Sequence, residues 1–298
     1  MKEMPGKVVN QTQTSFPLVS VGLPTYNRPE GLMKCLEYLI GQTYPNLEII
    51  ISDNCSPNPR VQEIILDYAG KDSRIKHFRQ KENIGLEGNF NFVFSQSNAP
   101  FFMWMSDDDY FDKDYIEKCV NFLESHPEYV LCSGIAKYYS GDKFLFDENM
   151  FAVEGKTPFK RVFNYFSQVA KNGNFYGVFR KDLVDNKPIG EHIGCDWVFM
   201  ARLAMLGKLT FVRSTNYYRS AEGHSTSRQS MIKKFGFNFF QATFFETYTA
   251  YLISKNLFKS TLVHEKYNLV KRMGIKVGVF FTINWKFLKN SIAKRVSK

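Results

Sequence analysis

Acidic residues all but vanish from the end of this chain: from His264 onward there is one, Glu265, against nine Lys or Arg. That imbalance supplies much of the net charge of +10 and points to an anionic partner, whether nucleotide, nucleic acid or membrane surface. Cysteine is scarce as well. The five (Cys35, Cys55, Cys119, Cys132, Cys195) form no C-x-x-C pair and no zinc-type spacing. An odd, irregular set argues for reduced thiols in a cytosolic compartment. The first sixteen residues lack the apolar segment of a secretory leader and are expected to be a loose lead-in. The apolar part of the tail, Val277 to Ile283 with Trp285, is interrupted by Lys276 and Lys286 and too short to span a bilayer. Internal repeats and low-complexity tracts are absent. What remains, 298 residues at 44% hydrophobic and 16% aromatic, suffices for one sizeable core and an appendage.

Apolar runs alternate with helical periodicity. Leu18 to Leu23 predicts a first strand stopped by Pro24, and Leu32, Cys35, Leu36 and Leu39 predict a helix to about Gln42. Glu48 to Asp53 is a second strand, followed by turn formers and a helix from Arg60 to near Gly70. Ile75 to Phe78 is a third strand, Asn83-Ile84-Gly85 a turn, and Asn89 to Ser97 a helix. Such alternation with short connections is the pattern of a parallel, helix-covered sheet.

The chain is organised around Phe101-Phe102-Met103-Trp104-Met105-Ser106-Asp107-Asp108-Asp109-Tyr110-Phe111. A buried strand here runs into three adjacent carboxylates, which cannot all stay charged in a core and so sit in water or around a cation. Open α/β sheets bind ligands at the carboxyl ends of their strands, where this run leaves the acids. Hard oxygen donors there suit Mg²⁺ or Mn²⁺ with a diphosphate. The plainer alternative is an acidic turn before a helix opened by Asp112 and Asp114. Further on, Asp114 to Leu123 reads as a helix and Tyr129 to Ser133 as a strand. Lys137 to Glu154 reads as irregular, polar and aromatic, as an acceptor-side loop would be, residues 172–177 as a bland loop, Asp196 to Leu206 as a helix and Leu209 to Val212 as a last strand. Tyr217 to Arg228 reads as a polar, cationic loop, and Phe235 to Tyr251 as an aromatic helix.

Four features in this order resemble a family-2 glycosyltransferase of the GT-A fold: Pro24-Thr25-Tyr26-Asn27-Arg28 after the first strand, Asp53 closing the second, Ser106-Asp107-Asp108-Asp109, and Gly194-Cys195-Asp196-Trp197 heading a helix. The likeness runs from about Phe16 to Arg228. It implies an α/β fold, a Rossmann-like, mostly parallel sheet flanked by helices, with a C-terminal helical extension. The expected division is a lead-in (1–16), a GT-A domain (17–228) and a helical, basic and aromatic extension (229–298). The resemblance places Pro24, Tyr26, Asn27, Arg28, Asp53, Asn83, Asp107 and Asp108 on the nucleotide side. Tyr26 would flank the base, and Asp53 would accept from its ring N–H, which uracil and guanine both offer. Asp107 and Asp109 fit a D-x-D pattern, with Asp109 the direct ligand of Mn²⁺ or Mg²⁺; many members carry a further acid where this chain has Ser106. Arg219 and His224 would close over the diphosphate, with His224 a conceivable third metal ligand.

Asp196 would be the general base of an inverting transfer from a UDP, dTDP or GDP sugar to a hydroxyl acceptor. Cleavage runs ahead of attack, so a carboxylate within hydrogen-bond reach can take the proton late, while the metal stabilises the leaving phosphate. An acid at a helix start is otherwise only a cap. Basic residues mixed with Trp and Phe in the tail suit a helix lying on an anionic membrane surface, which would fit a lipid-linked glycan acceptor at the inner face of a plasma membrane. A helical cap on the catalytic domain or a homo-oligomer contact is the plain alternative for the tail. A sugar-phosphate nucleotidyltransferase would need a glycine-rich loop after its first strand, and Pro24-Thr25-Tyr26-Asn27 holds no glycine. A nucleic-acid partner is not expected, because an acidic triplet repels phosphates unless a cation intervenes. A non-catalytic nucleotide binder stays open.

Overall fold

The computed structural model describes residues 16–221 and 228–296. Its first half alternates β1 (Val19–Thr25), α1 (Pro29–Ile40), β2 (Leu47–Asp53), α2 (Pro59–Lys71), β3 (Ile75–Arg79), α3 (Gly85–Ser95) and β4 (Phe101–Trp104). These strands pair in parallel in the order β3-β2-β1-β4. β1, β2 and β4 are unbroken apolar runs because both of their faces are covered. Val21, Leu23, Ile49 and Ile51 pack with Leu36 and Val61 on one face, and Ile50, Phe102 and Trp104 with Phe94 on the other.

The second half holds β5 (Tyr110–Phe111), α4 (Tyr115–Ser125), β6 (Tyr129–Ser140), β7 (Lys143–Asp147), α5 (Pro158–Gln168), β8 (Val178–Arg180), α6 (Cys195–Leu206) and β9 (Lys208–Ser220). The sheet continues β4-β8-β6-β9-β5, with β7 on β6. β8 runs antiparallel to β4 and β6, β5 runs antiparallel to β9, and β6 and β9 are parallel. α7 (Arg228–Phe235), α8 (Phe239–Thr243), α9 (Phe245–Asn256), α10 (Thr261–Lys266) and α11 (Leu269–Val296) follow. Ala250, Ile253, Ile275, Val279 and Ile283 from α9 and α11 join the apolar layer that holds α6.

Several sequence expectations give way here. β1 does not stop at Pro24. Gly22 accepts from Met105 on the β4 side, and residue 24 faces the same way beyond the end of β4, so the missing N–H costs no ladder bond. α3 starts at Gly85 rather than Asn89. The segment expected to be irregular from Lys137 is the far end of β6 and the β7 arm of a hairpin, turned at Gly141 with φ 55°. Tyr217 to Ser220 is strand, not loop, carried out by pairing with Ala136 to Tyr139. α5 went unassigned in the sequence, although Thr157 caps it and Pro158 opens it. The aromatic helix expected from Phe235 to Tyr251 is broken, at Gly236 in the left-handed region (φ 62°) and again at Phe244.

Candidate active site

The carboxyl ends of β1, β2 and β4 lie at one edge of the sheet, with Thr25 opposite Asp53 and Trp104 opposite Gly22. The three acids after β4 turn different ways from that edge. Asp107, buried, ties down the loop after β1: Thr25 Oγ1 donates to it at 2.8 Å, Tyr26 N at 3.3 Å and Arg28 Nη1 at 3.0 Å. Arg28 Nη1 also reaches Asp108 at 2.8 Å. Burial pushes the Asp107 carboxyl above its ordinary range, against the pull of Arg28. α1 approaches this turn so closely that a Cβ on Gly31 would lie 2.5 Å from the Asp107 carbonyl oxygen.

Asp109 turns toward β9. Tyr217 OH donates to Oδ2 at 2.9 Å and Ser220 N to Oδ1 at 2.9 Å, while Arg219 Nε stands 3.7 Å from Oδ2. Burial pushes this carboxyl up to about 7, with Arg219 opposing and Asp108 adding to the shift. The Arg219 guanidinium lies over the Tyr176 ring at 4.7 Å and the Tyr138 ring at 5.2 Å, and Nη1 donates to Tyr138 OH at 2.8 Å. Its Nε is buried with no hydrogen-bond acceptor among the described residues. A fixed cation with an unused donor beside a carboxylate is a place for an anionic oxygen.

Asp196 stands at the second position of α6, after Gly194 in the left-handed region (φ 73°). It is not the N-cap, and no side chain caps this helix. Asn172 Nδ2 donates to Asp196 Oδ2 at 2.8 Å, and Tyr165 OH donates to Asn172 Oδ1 at 2.9 Å. Asn172 holds φ 60°, a left-handed conformation its short amide tolerates. The next residue, Gly173, donates its N–H to Glu148 at 3.0 Å. Burial raises the Asp196 carboxyl, and the bond from Asn172 draws it part of the way back. Half-buried Tyr176 lies under the Arg219 guanidinium, itself 3.7 Å from Asp109, and burial together with nearby Asp109, Asp108 and Asp196 pushes its phenol up against the pull of Arg219.

The remaining expected residues fall at the β2 side of this edge. Asp53 is fully buried, accepting from Ser56 N at 2.9 Å, Gln62 Nε2 at 2.7 Å and Arg79 Nη1 at 3.0 Å. Three of its roughly four lone-pair directions are thus used inside the protein. Ser56 Oγ in turn accepts from Asn27 N at 2.8 Å, linking the β2 loop to the β1 loop. Asn83 Oδ1 accepts from Asn54 Nδ2 at 3.0 Å and Gly85 N at 2.9 Å, holding the turn before α3. Pro24 is buried, and Tyr26 presents its ring at the surface, 44% exposed. His224 lies outside the described residues. Tyr165, Tyr138 and Gly31 carry no local signal in the sequence, whereas Asn172 and Tyr176 fall in the stretch 172–177 and Tyr217 in the stretch to Arg228, both of which read as loops.

Among the described residues no three His, Cys, Asp or Glu side chains are grouped to enclose a metal. An ion of the Mg²⁺ or Mn²⁺ type needs only one or two carboxylates when substrate phosphates complete its shell. Asp107, the expected partner of Asp109, is taken up by Thr25, Tyr26 and Arg28, which leaves Asp109 and Asp108 as that donor set, with an Asp109 carboxyl pushed up by burial that a cation would return to its charged form.

Residues 20–206 match the family described as Glycosyl transferase family 2. Glycosyltransferase GlyA of Streptococcus pneumoniae is 29% identical over 148 residues, 49% of this chain and 20% of that protein. Putative glycosyltransferase EpsH of Bacillus subtilis is 31% identical over 122 residues, 41% of this chain and 35% of that one. The first curated relatives are longer than the match, with between 12% and 49% of their length covered. Among solved structures, S. aureus TarS 1-349 in complex with UDP-GlcNAc aligns at TM-score 0.60 and 17% identity, over 87% of this chain and 70% of that one. Mannosyltransferase PcManGT from Pyrobaculum calidifontis, in complex with GDP-Man and Mn²⁺, aligns at 0.53 and 14%, over 94% of this chain and 76% of that one. The fold shared with them is the GT-A fold expected from the sequence.

Proposed function

The chain belongs to glycosyl transferase family 2, and from that premise we propose that it transfers a sugar, with inversion, from a nucleoside-diphosphate sugar to a hydroxyl of a lipid-linked glycan, in the synthesis of a bacterial surface polysaccharide. The observation that carries this is the Arg219 guanidinium, 4.7 Å from the centre of the Tyr176 ring and 3.7 Å from Asp109 of the acidic turn, at the strand edge. The catalytic unit is placed in 17–228 and the rest in the helical extension.

The donor lies along the strand ends, its base beside Tyr26 and the Asp53 loop and its diphosphate against Arg219, whose Nε has no hydrogen-bond acceptor among the described residues. Arg28 is held by Asp107 and Asp108 at the turn that faces this position. Asp109 and Asp108 would hold Mg²⁺ or Mn²⁺, which when bound supplies positive charge for the leaving diphosphate. The acceptor hydroxyl attacks the anomeric carbon from the side opposite the diphosphate, and Asp196 takes its proton. Asn172, anchored by Tyr165, fixes the carboxylate that receives it. A raised carboxyl is a stronger base than a free aspartate, which suits late proton transfer. Negative charge gathering on the diphosphate meets a guanidinium already held over the Tyr176 ring and bonded to Tyr138 OH, so little reorganisation is needed.

The test is Asp196→Asn. Turnover of the donor falls by about 10²–10⁴-fold while its dissociation constant stays within about twofold, since uniform binding is untouched. Equal loss of binding and turnover would assign Asp196 to structure instead.

A further inference from the structure

Helix α11 is apolar on two opposite faces. Ile275, Val279 and Ile283 are buried against α5 and α9, and the approach to α5 is so tight that a Cβ on Gly278 would meet the Phe163 ring at 2.3 Å. The other face carries Val270, Met273, Val277, Phe281, Trp285 and Leu288, each half exposed or more, with Val270 at 78% and Phe281 at 64%. Steps of three and four residues keep these side chains in one stripe about 27 Å long. Docking onto the protein therefore satisfies only half of the apolar surface of this helix. A stripe of that extent on a protein surface marks something that covers it.

The charge of α11 says what. Its 28 residues contain Lys271, Arg272, Lys276, Lys286, Lys289, Lys294 and Arg295 and no acid. Lys271 and Lys289 stand exposed on the same flank of the stripe, about five helical turns apart. Lys289 Nζ lies 5.4 Å from the centre of the Trp285 ring, so a cation and an interfacial aromatic share one place. No helix among the described residues is long and apolar enough to cross a membrane. A second copy laid stripe to stripe would set two acid-free basic helices against each other, which like charges oppose.

We propose that the exposed face of α11 lies in the surface of an anionic lipid bilayer, with Phe281 and Trp285 entering the headgroup region and Lys271 and Lys289 pairing with lipid phosphates. The surface rests on α11 alone and stands whether or not the reaction is sugar transfer. Its consequence is orientation: α11 packs on α5, and α5 on α6, so a bilayer under α11 holds the Asp196 end of α6 at a fixed height above the lipid.

The experiment is sedimentation of the full chain with vesicles of phosphatidylcholine alone or with about 30% phosphatidylglycerol. Tryptophan emission is followed in parallel; Trp104 is buried, whereas Trp285 is 59% exposed. The protein should bind only the anionic vesicles, release in high salt, and shift its emission to the blue. Phe281→Ser with Trp285→Ser should weaken partition at least tenfold, with circular dichroism and melting temperature unchanged because both side chains are at the surface. Lys271→Glu with Lys289→Glu should weaken it comparably with the stripe intact, at about fivefold per lysine removed from the membrane. Failure to bind anionic vesicles, or binding at the wild-type level by either double variant, overturns the proposal. So does a wild-type dimer in sedimentation velocity that becomes monomeric in the Phe281/Trp285 variant, because a second copy then covers the stripe.

Discussion

Asp196 is half-buried at the start of α6, and burial raises its carboxyl. Its shift has a sign with two consequences. The acid limb of kcat/KM should lie above the pH at which a free aspartate titrates, because burial favours the neutral form. Asn172→Ala removes a bond to the charged form, so it should move that limb to still higher pH and lower the plateau by up to about 10²-fold through misplacement of the carboxylate. An unchanged limb with a lower plateau would leave Asn172 only a packing role. The same shift affects stability. The folded state holds this proton more tightly than the unfolded chain, so stability falls as pH rises from the ordinary carboxylate value through the raised one. Asp196→Asn should therefore melt above the wild type at neutral pH, and the difference should vanish below the ordinary value. Melting curves across pH decide it.

At the scale of elements, the site is a set of strand ends and helix starts pressed together, and the glycine at the tightest contact is the place to test that. Gly31→Ala must push α1 away from the Asp107 carbonyl, which should cost about 1–3 kcal/mol in urea unfolding, as overpacking does. Donor affinity should fall with it, since Arg28 heads the same helix. Affinity unchanged by a destabilised variant would detach α1 from the nucleotide side. Arg219 sits at the end of β9, where its guanidinium lies over the Tyr176 ring and donates to Tyr138 OH. Lysine keeps the charge but not the plane, so Arg219→Lys should raise the donor KM by about tenfold, the value of 1.4 kcal/mol of lost contact. A KM within twofold of wild type would remove Arg219 from the diphosphate.

These elements also show what could be read in advance. β1, β2 and β4 were legible because a strand buried on both faces must be written in apolar residues. The acids at their ends were legible for the same reason, as abrupt departures from that rule. The far ends of β6 and β9 were not, since the buried positions there include Tyr138 and Tyr217 and their half-buried neighbours are Lys137, Tyr139, Asn216 and Tyr218, so no apolar period shows in the sequence. Tyr217 to Ser220 became strand only by pairing with a segment some eighty residues earlier. Asn172 was illegible as a partner of Asp196: its left-handed backbone is locally an ordinary turn, and the contact spans 24 residues. The Asp53 position was plain, but the three internal donors that fill it come from Ser56, Gln62 and Arg79, which no local pattern links.

Over the whole molecule, the basic tail and the catalytic sheet share one apolar layer. Ile253 of α9 lies where a Cβ on Gly194 would touch it at 2.8 Å, directly at the turn that starts α6 and presents Asp196. A chain ending at residue 228 would expose that layer and should lose cooperative melting together with donor binding. Retention of both would make the helices after β9 a detachable appendage. The central claim, that the acidic turn and Arg219 bind a nucleoside diphosphate with a divalent ion, is tested most directly by calorimetric titration of UDP, dTDP and GDP with and without Mn²⁺. One nucleotide should bind, markedly tighter with the metal, and Asp109→Asn should abolish the metal's effect. Heat from no nucleotide under either condition, or binding by all three that ignores both Mn²⁺ and Asp109, would contradict the account.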